Sequence, residues 1–142
     1  MAMLRCLGIK LGYYNTDSAE VAWACDQIMD TWSSVMDSFG AAIAPEAVWD
    51  LAVKFCLELD QLLKIVTDRM ATNSWKYAAG DSLTCADFLI FSLYINVAQN
   101  PLSKFNTKTA AIYAKYSALA PIMEELIIGC ASYLQSRPKL PA

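Results

Sequence analysis

Residues 80–88 read Gly-Asp-Ser-Leu-Thr-Cys-Ala-Asp-Phe, a turn that runs directly into the start of a helix. Thr84 is the predicted N-cap, because its hydroxyl can accept a hydrogen bond from a backbone N–H that the first turn leaves unpaired. Asp87 stands three residues later and can accept from the Thr84 N–H, as in a capping box. Leu83 and Phe88 occupy the two positions of a hydrophobic staple. The stretch therefore predicts a strongly specified helix start that serves folding and not catalysis.

The helix that begins here is predicted over residues 84–98 and is apolar almost all round, so we expect it at the centre of a core. A break follows at Asn100-Pro101, because proline cannot continue a helix. Two further helices are predicted after this break, over 107–117 and from Pro121 to about 136. The chain shows no convincing strand pattern, which indicates an all-α fold.

Two long helices precede the central one and share one apolar spacing of 4, 3, 4, 3 and 4 residues. The first is predicted over 17–39, with Asp17 as N-cap and Glu20 as the second member of a capping box. The second is predicted over 45–70, and residues 40–44 would form the loop between them. Matching apolar seams and a short connection predict an antiparallel helical hairpin.

Residues 1–13 form one more predicted helix. Its apolar side chains have helical spacing, and we expect them to be packed against the rest of the bundle: Met3, Leu4, Leu7 and Leu11. Together these segments predict a single helical domain of five to six helices over residues 1–142.

The composition narrows the possible functions. Hydrophobic residues make up 56% and charged residues 18% of the 142 residues, against a usual charged share of about 25%. The net charge of −3 without any block of like charges argues against a nucleic-acid partner. No apolar run reaches the roughly 18 residues that a membrane-spanning helix needs. Five widely spaced cysteines and the absence of histidine predict reduced thiols and neither a zinc site nor a histidine base.

A resemblance to a known family lies in the same region. Residues 75–88, Trp-Lys-Tyr-Ala-Ala-Gly-Asp-Ser-Leu-Thr-Cys-Ala-Asp-Phe, resemble the start of the central helix in the all-helical C-terminal domain of the cytosolic glutathione transferases. Residues 24–30 resemble the first helix of that domain, and residues 133–138 resemble the tail of the sigma class. Residues 4–8 are similar to the end of the family's N-terminal, thioredoxin-like domain.

The resemblance implies the C-terminal domain fold over residues 17–136, with residues 1–13 as a remnant of the last thioredoxin-like helix. In the family, the catalytic Tyr, Ser or Cys and the glutathione cradle lie on the thioredoxin-like domain, which has no counterpart in this sequence. An acidic residue that reaches glutathione across the family's dimer would fall at Ser33 or Ser34. We therefore expect no catalytic residue, no bound cofactor and no metal.

The resemblance also implies where partners bind. In the family the first two helices of this domain form the dimer interface, and another face packs on the thioredoxin-like domain. We therefore expect a non-catalytic structural or interaction subunit of a larger protein assembly, whose partners include a homologue of the family or a second copy. The candidate interface residues are Val21, Cys25, Ile28, Trp32, Val35, Phe39, Trp49, Cys56 and Leu63.

Two other functions stay open on the sequence. The chain could be half of a sigma-like glutathione transferase whose thioredoxin-like domain is a separate polypeptide, or it could carry a hydrophobic ligand. Asp26, Asp30 and Asp37 share one helix face and could hold Mg²⁺ through water, although an exposed acidic face is the simpler interpretation. The cysteine pattern favours an intracellular location, in the cytoplasm or in an organellar complex such as a mitochondrial one.

Overall fold

The computed structural model describes residues 1–44 and 49–138. Within these ranges the chain forms seven α-helices and no β-strand, so the predicted all-α class is confirmed. The helices are α1 (Ala2–Leu11), α2 (Ala19–Ile43), α3 (Trp49–Asn73), α4 (Cys85–Leu93), α5 (Asn106–Ala114), α6 (Ala120–Gly129) and α7 (Ala131–Ser136).

Helices α2 and α3 pack along each other as an antiparallel pair. Near one end, Arg69 of α3 donates to the backbone oxygen of Ala24 in α2 at 3.5 Å. Near the other end, the Ser38 hydroxyl of α2 donates to the Glu58 carboxylate of α3. Because the residue numbers rise along one helix as they fall along the other, the predicted antiparallel packing of these two helices is confirmed.

The ends of α2 differ from the prediction. Ser18, and not Asp17, is the N-cap: its hydroxyl oxygen accepts from the Val21 N–H at 3.3 Å. The helix also passes through Gly40 and ends only at Ile43, where a loop was predicted. Phe39 and nearby Ala42 are buried in the core, and this burial outweighs the poor helix propensity of one glycine. The predicted start of the next helix at Pro45 lies outside the described residues.

Helix α4 lies at the centre of the bundle, as predicted. Seven of its nine residues are buried, and it contacts α1, α2 and α6. A π-helical turn over Tyr94–Ala98 continues it, closed by the Gln99 N–H donating to the Tyr94 carbonyl at 2.8 Å. The predicted extent of 84–98 and the break before Pro101 are confirmed, whereas the π turn was not foreseen.

The last predicted helix is two helices, and the expected total of five to six was therefore wrong. Helix α6 begins close to Pro121 as predicted, but it ends at Gly129, and α7 begins after Cys130. Glycine weakens a helix by about 1 kcal/mol relative to alanine, and α7 has no buried residue that would keep the two segments in line. On the predicted inner face, Ile122 and Leu126 are buried, but Ile127 is exposed.

Candidate interaction surface

The predicted capping box at the start of α4 is present. Asp87 is buried, and its carboxylate accepts hydrogen bonds from the Thr84 N–H at 2.8 Å and from the Thr84 hydroxyl at 2.9 Å. The other oxygen accepts from the Ala78 N–H at 2.9 Å. Burial raises the pKa of Asp87, and these hydrogen bonds oppose the rise. The carboxylate is thus occupied in joining the preceding loop to α4.

The same helix start also anchors the N-terminal segment. The Cys85 N–H donates to the Tyr13 carbonyl at 2.8 Å, and the Phe88 ring meets the Tyr13 ring edge-to-face at 5.0 Å between centroids. Leu83 and Phe88 are both half-buried against the core. Their direct contact as a hydrophobic staple stays a prediction.

Most of the predicted interface residues belong to the chain's own core. The α2 seam packs against α3 and α4, and the α3 seam packs against α2 and α5, so these side chains are not available to a partner, which corrects the prediction. The buried ones are Cys25, Ile28, Val35, Phe39 and Leu63. Val21, Trp32 and Cys56 are half-buried, and the Trp32 indole N–H donates to the Leu89 carbonyl at 3.1 Å. Only Trp49 of the predicted set is largely exposed.

Helix α1 exposes apolar side chains that the sequence analysis predicted to be packed against the bundle. Met3, Leu7 and Leu11 are 78%, 48% and 66% exposed. They are four residues apart, so they lie along one side of the helix and form what we call the α1 stripe. Only Leu4 of the predicted packed set is half-buried. The expectation of a fully packed helix was therefore wrong.

The side of α1 that carries Leu4, Arg5 and Gly8 is fixed to the bundle. A Cβ atom at buried Gly8 would lie 3.0 Å from Tyr14 Cβ and 3.5 Å from Cys85 Sγ, so glycine permits the close approach. Arg5 forms an ion pair with Asp26 of α2 at 2.8 Å. After α1 the chain turns at Gly12, whose φ of 79° favours glycine. This turn lets the Tyr13 N–H donate to the Gly8 carbonyl at 2.7 Å. With this side held, the α1 stripe faces away from the core.

The acidic face of α2 has a partner at one position. Asp26 is paired with Arg5, while Asp30 and Asp37 are exposed. Over residues 1–44 and 49–138, no three side chains among His, Cys, Asp and Glu are grouped in a way that could hold a metal ion. Asp26 is thus engaged with Arg5, while Asp30 and Asp37 face solvent.

A second open surface is a groove of about 400 Å³ between α3 and α5. Its floor is apolar, with Val53, Leu57 and Ile112 among its residues. The polar groups at its edge already have partners: the Lys108 ammonium lies 4.0 Å from the Trp49 ring centroid, and Lys115 pairs with Asp60 at 3.1 Å. Among the described residues that line it, the groove is thus mainly apolar and its charged groups are already paired.

Comparisons of this chain with protein-family models, with curated proteins and with solved structures found no match. The likeness to the glutathione transferases therefore rests on the motifs quoted above. In the part of the chain that the structure describes, no helix is long and apolar enough to cross a membrane.

Proposed function

We propose that this chain is a non-catalytic subunit of a larger protein assembly and that it joins the assembly through the α1 stripe. The observation that carries the proposal is the exposure of Met3, Leu7 and Leu11 on a helix whose other side is fixed to the core. Contiguous apolar surface of this kind is characteristic of protein-interaction sites. A partner protein with a complementary apolar face would remove it from water.

The free energy available from burying the α1 stripe suits the apolar centre of an interface that also has a polar rim. Burying three such side chains is worth on the order of 3–5 kcal/mol at about 25 cal/mol per Å², before the cost of association. A helix of ten residues is only about 15 Å long. One side of it offers less surface than the roughly 800 Å² that each partner buries in an interface of standard size. The partner would therefore also contact polar residues beside the stripe, such as Lys10 and Cys6, which are exposed.

The use of the buried polar groups supports a role other than catalysis. Asp87 has protein donors on both of its oxygens, and the buried Tyr113 hydroxyl donates to the Ile90 carbonyl at 2.9 Å. In the described ranges, no buried side-chain nitrogen or oxygen lacks a hydrogen-bond partner. An active site usually keeps such a group free for its substrate.

A second candidate gives the same surface a different partner. Residues 4–8, which resemble the end of a thioredoxin-like domain, belong to the helix that carries the α1 stripe. A separate thioredoxin-like polypeptide would then cover the stripe and supply the catalytic hydroxyl and the glutathione cradle of a sigma-like transferase. The chain alone would be inactive with glutathione and a chloronitrobenzene, and the pair would be active. Inactivity of the pair would exclude this candidate and leave the structural role.

The proposal is tested by capture with matched variants. The immobilised wild-type chain should retain specific proteins from cells that express it, whereas Leu7→Glu/Leu11→Glu should lose them. The control is Ile128→Glu/Tyr133→Glu, which also adds two negative charges, at residues that are 77% and 64% exposed on α6 and α7, and it should retain the same proteins. Sedimentation of the purified chain reports self-association in parallel. A monodisperse wild-type monomer that captures nothing would contradict the proposal.

A further inference from the structure

Two cysteines that are distant in sequence meet in the core. Cys25 of α2 and Cys85 of α4 are both buried, and their sulfur atoms are 3.3 Å apart. A disulfide bond measures about 2.05 Å, so a displacement of little more than 1 Å would bring the two sulfurs to bonding distance. We propose that Cys25 and Cys85 are a redox-active dithiol that closes to a disulfide when the protein encounters a peroxide.

The two thiols are not equivalent. Cys85 is the first residue of α4, where the unpaired N–H groups of a helix N-terminus favour a thiolate. The hydrogen bond from the Cys25 thiol lowers the pKa of Cys85, against the opposing effect of burial. The same hydrogen bond raises the pKa of Cys25, and burial adds to the rise. Cys85 is therefore the thiol that attacks the peroxide, and Cys25 is the resolving thiol that then attacks the oxidised Cys85.

The reaction balances with hydrogen peroxide as the two-electron oxidant. The Cys85 thiolate attacks one peroxide oxygen, the O–O bond breaks, and Cys85 becomes a sulfenic acid while hydroxide leaves and takes up a proton. Cys25 then attacks the Cys85 sulfur, loses its proton and displaces water. In sum, two thiols and one peroxide give one disulfide and two waters.

Helix α1 covers the pair. Gly8 lies over Cys85, with only 3.5 Å between the Cys85 sulfur and the position of a Cβ atom at Gly8. A reagent therefore reaches Cys85 when α1 moves away. The polar contacts that hold α1 and the segment after it include the Arg5–Asp26 ion pair and the hydrogen bond from the Cys85 N–H to the Tyr13 carbonyl. The rate of oxidation should report how often α1 opens.

The test uses the full chain with Cys6, Cys56 and Cys130 changed to Ser, so that only the proposed pair can react. Hydrogen peroxide should reduce the intact mass by about 2 Da, and dithiothreitol should restore it. The oxidised form should melt about 5–10 °C higher, because the disulfide closes a loop between two residues that are 60 positions apart in sequence. Peptide mapping of the peroxide-treated wild-type chain should find the same disulfide between Cys25 and Cys85. This second measurement keeps the proposal testable if the chain with three Cys-to-Ser substitutions fails to fold.

Two variants sharpen the result. With Cys25→Ser in the same background, Cys85 should stop at the sulfenic acid, which dimedone traps. With Arg5→Ala, the same disulfide should form about 2–5 times faster, because loss of the half-buried ion pair with Asp26 frees α1 more often. The proposal is overturned if the pair stays reduced under conditions that oxidise exposed Cys6 in the wild-type chain, or if the Cys25→Ser variant gives the same product as its parent.

Discussion

Asp87 shows how one residue can specify the centre of this fold. Its carboxylate accepts from two backbone N–H groups and one hydroxyl, and it is surrounded by the core. A buried carboxylate is tolerated only when its hydrogen-bonding capacity is used, so the residues around it are fixed with it. The sequence predicted the Thr84 partner from local spacing. It could not predict Ala78, because that contact depends on the path of the loop.

Replacement of Asp87 should be strongly destabilising. Asp87→Asn leaves the Ala78 or the Thr84 N–H facing an amide NH₂ group in place of an oxygen, and we expect a loss of about 2–4 kcal/mol in the free energy of unfolding, measured in urea. The control is Asp81→Asn in the adjacent turn, which is exposed and should change stability by less than about 0.5 kcal/mol. Equal effects of the two substitutions would show that the carboxylate does not hold the loop.

At the scale of elements, helix starts were more predictable than helix ends. The start of α4 depends on neighbouring residues, and the sequence contains them. The end of α2 depends on the burial of Phe39 and Ala42 against other helices, which apolar spacing alone does not measure. The exposure of α1 was missed for a related reason: periodicity identifies an apolar face, but it does not show whether that face meets the chain's own core or another protein.

The continuation of α2 through Gly40 leads to a stabilising substitution. A Cβ atom at Gly40 would meet no heavy atom within 4 Å, and its φ is not positive. Gly40→Ala should therefore raise the free energy of unfolding by about 0.5–1 kcal/mol. Gly8→Ala is the contrast, because its new methyl group would press on Tyr14, and we expect it to destabilise. Destabilisation by Gly40→Ala would mean that the helix ends at that residue.

The contact between α3 and the end of α5 should make stability fall in base. Burial, with the hydrogen bond to Asp60, raises the pKa of Tyr116 to about 12, and the hydroxyl donates to Asp60 Oδ1 at 3.0 Å. Unfolded tyrosine ionises near pH 10, so between pH 10 and 12 the unfolded chain loses this proton while the folded chain keeps it. The folded chain binds more protons in that window, and stability therefore decreases as pH rises.

Urea unfolding from pH 9 to 11.5 measures this decline. Tyr116→Phe should flatten the curve above pH 10. Part of the decline should remain, because burial also raises the pKa of Tyr113. Tyr133→Phe is the control, since Tyr133 is exposed on α7 and the substitution should leave the wild-type slope unchanged. If both variants give the wild-type slope, the Tyr116–Asp60 hydrogen bond does not contribute.

At the scale of the whole molecule, the high apolar share is only partly explained by the core. The bundle buries the seams of α2 and α3 and nearly all of α4, yet Met3, Leu7 and Leu11 remain exposed together on α1. The family resemblance implied a partner contact on the first two helices of the domain, α2 and α3, but most of their apolar seam residues are buried in the chain's own core. The exposed apolar side chains of α1 are the reason for proposing the partner site on that helix instead.

The central claim, that a partner protein covers the α1 stripe, is tested most directly by site-specific photo-crosslinking in cells. A benzophenone amino acid at Leu7 should give a discrete protein adduct, and this adduct should disappear when Met3→Glu and Leu11→Glu are added. The same probe at Ile128, which is more exposed than Leu7, should give no such adduct. Adducts of equal yield at both positions, or none at Leu7 above the level at Ile128, would contradict the claim.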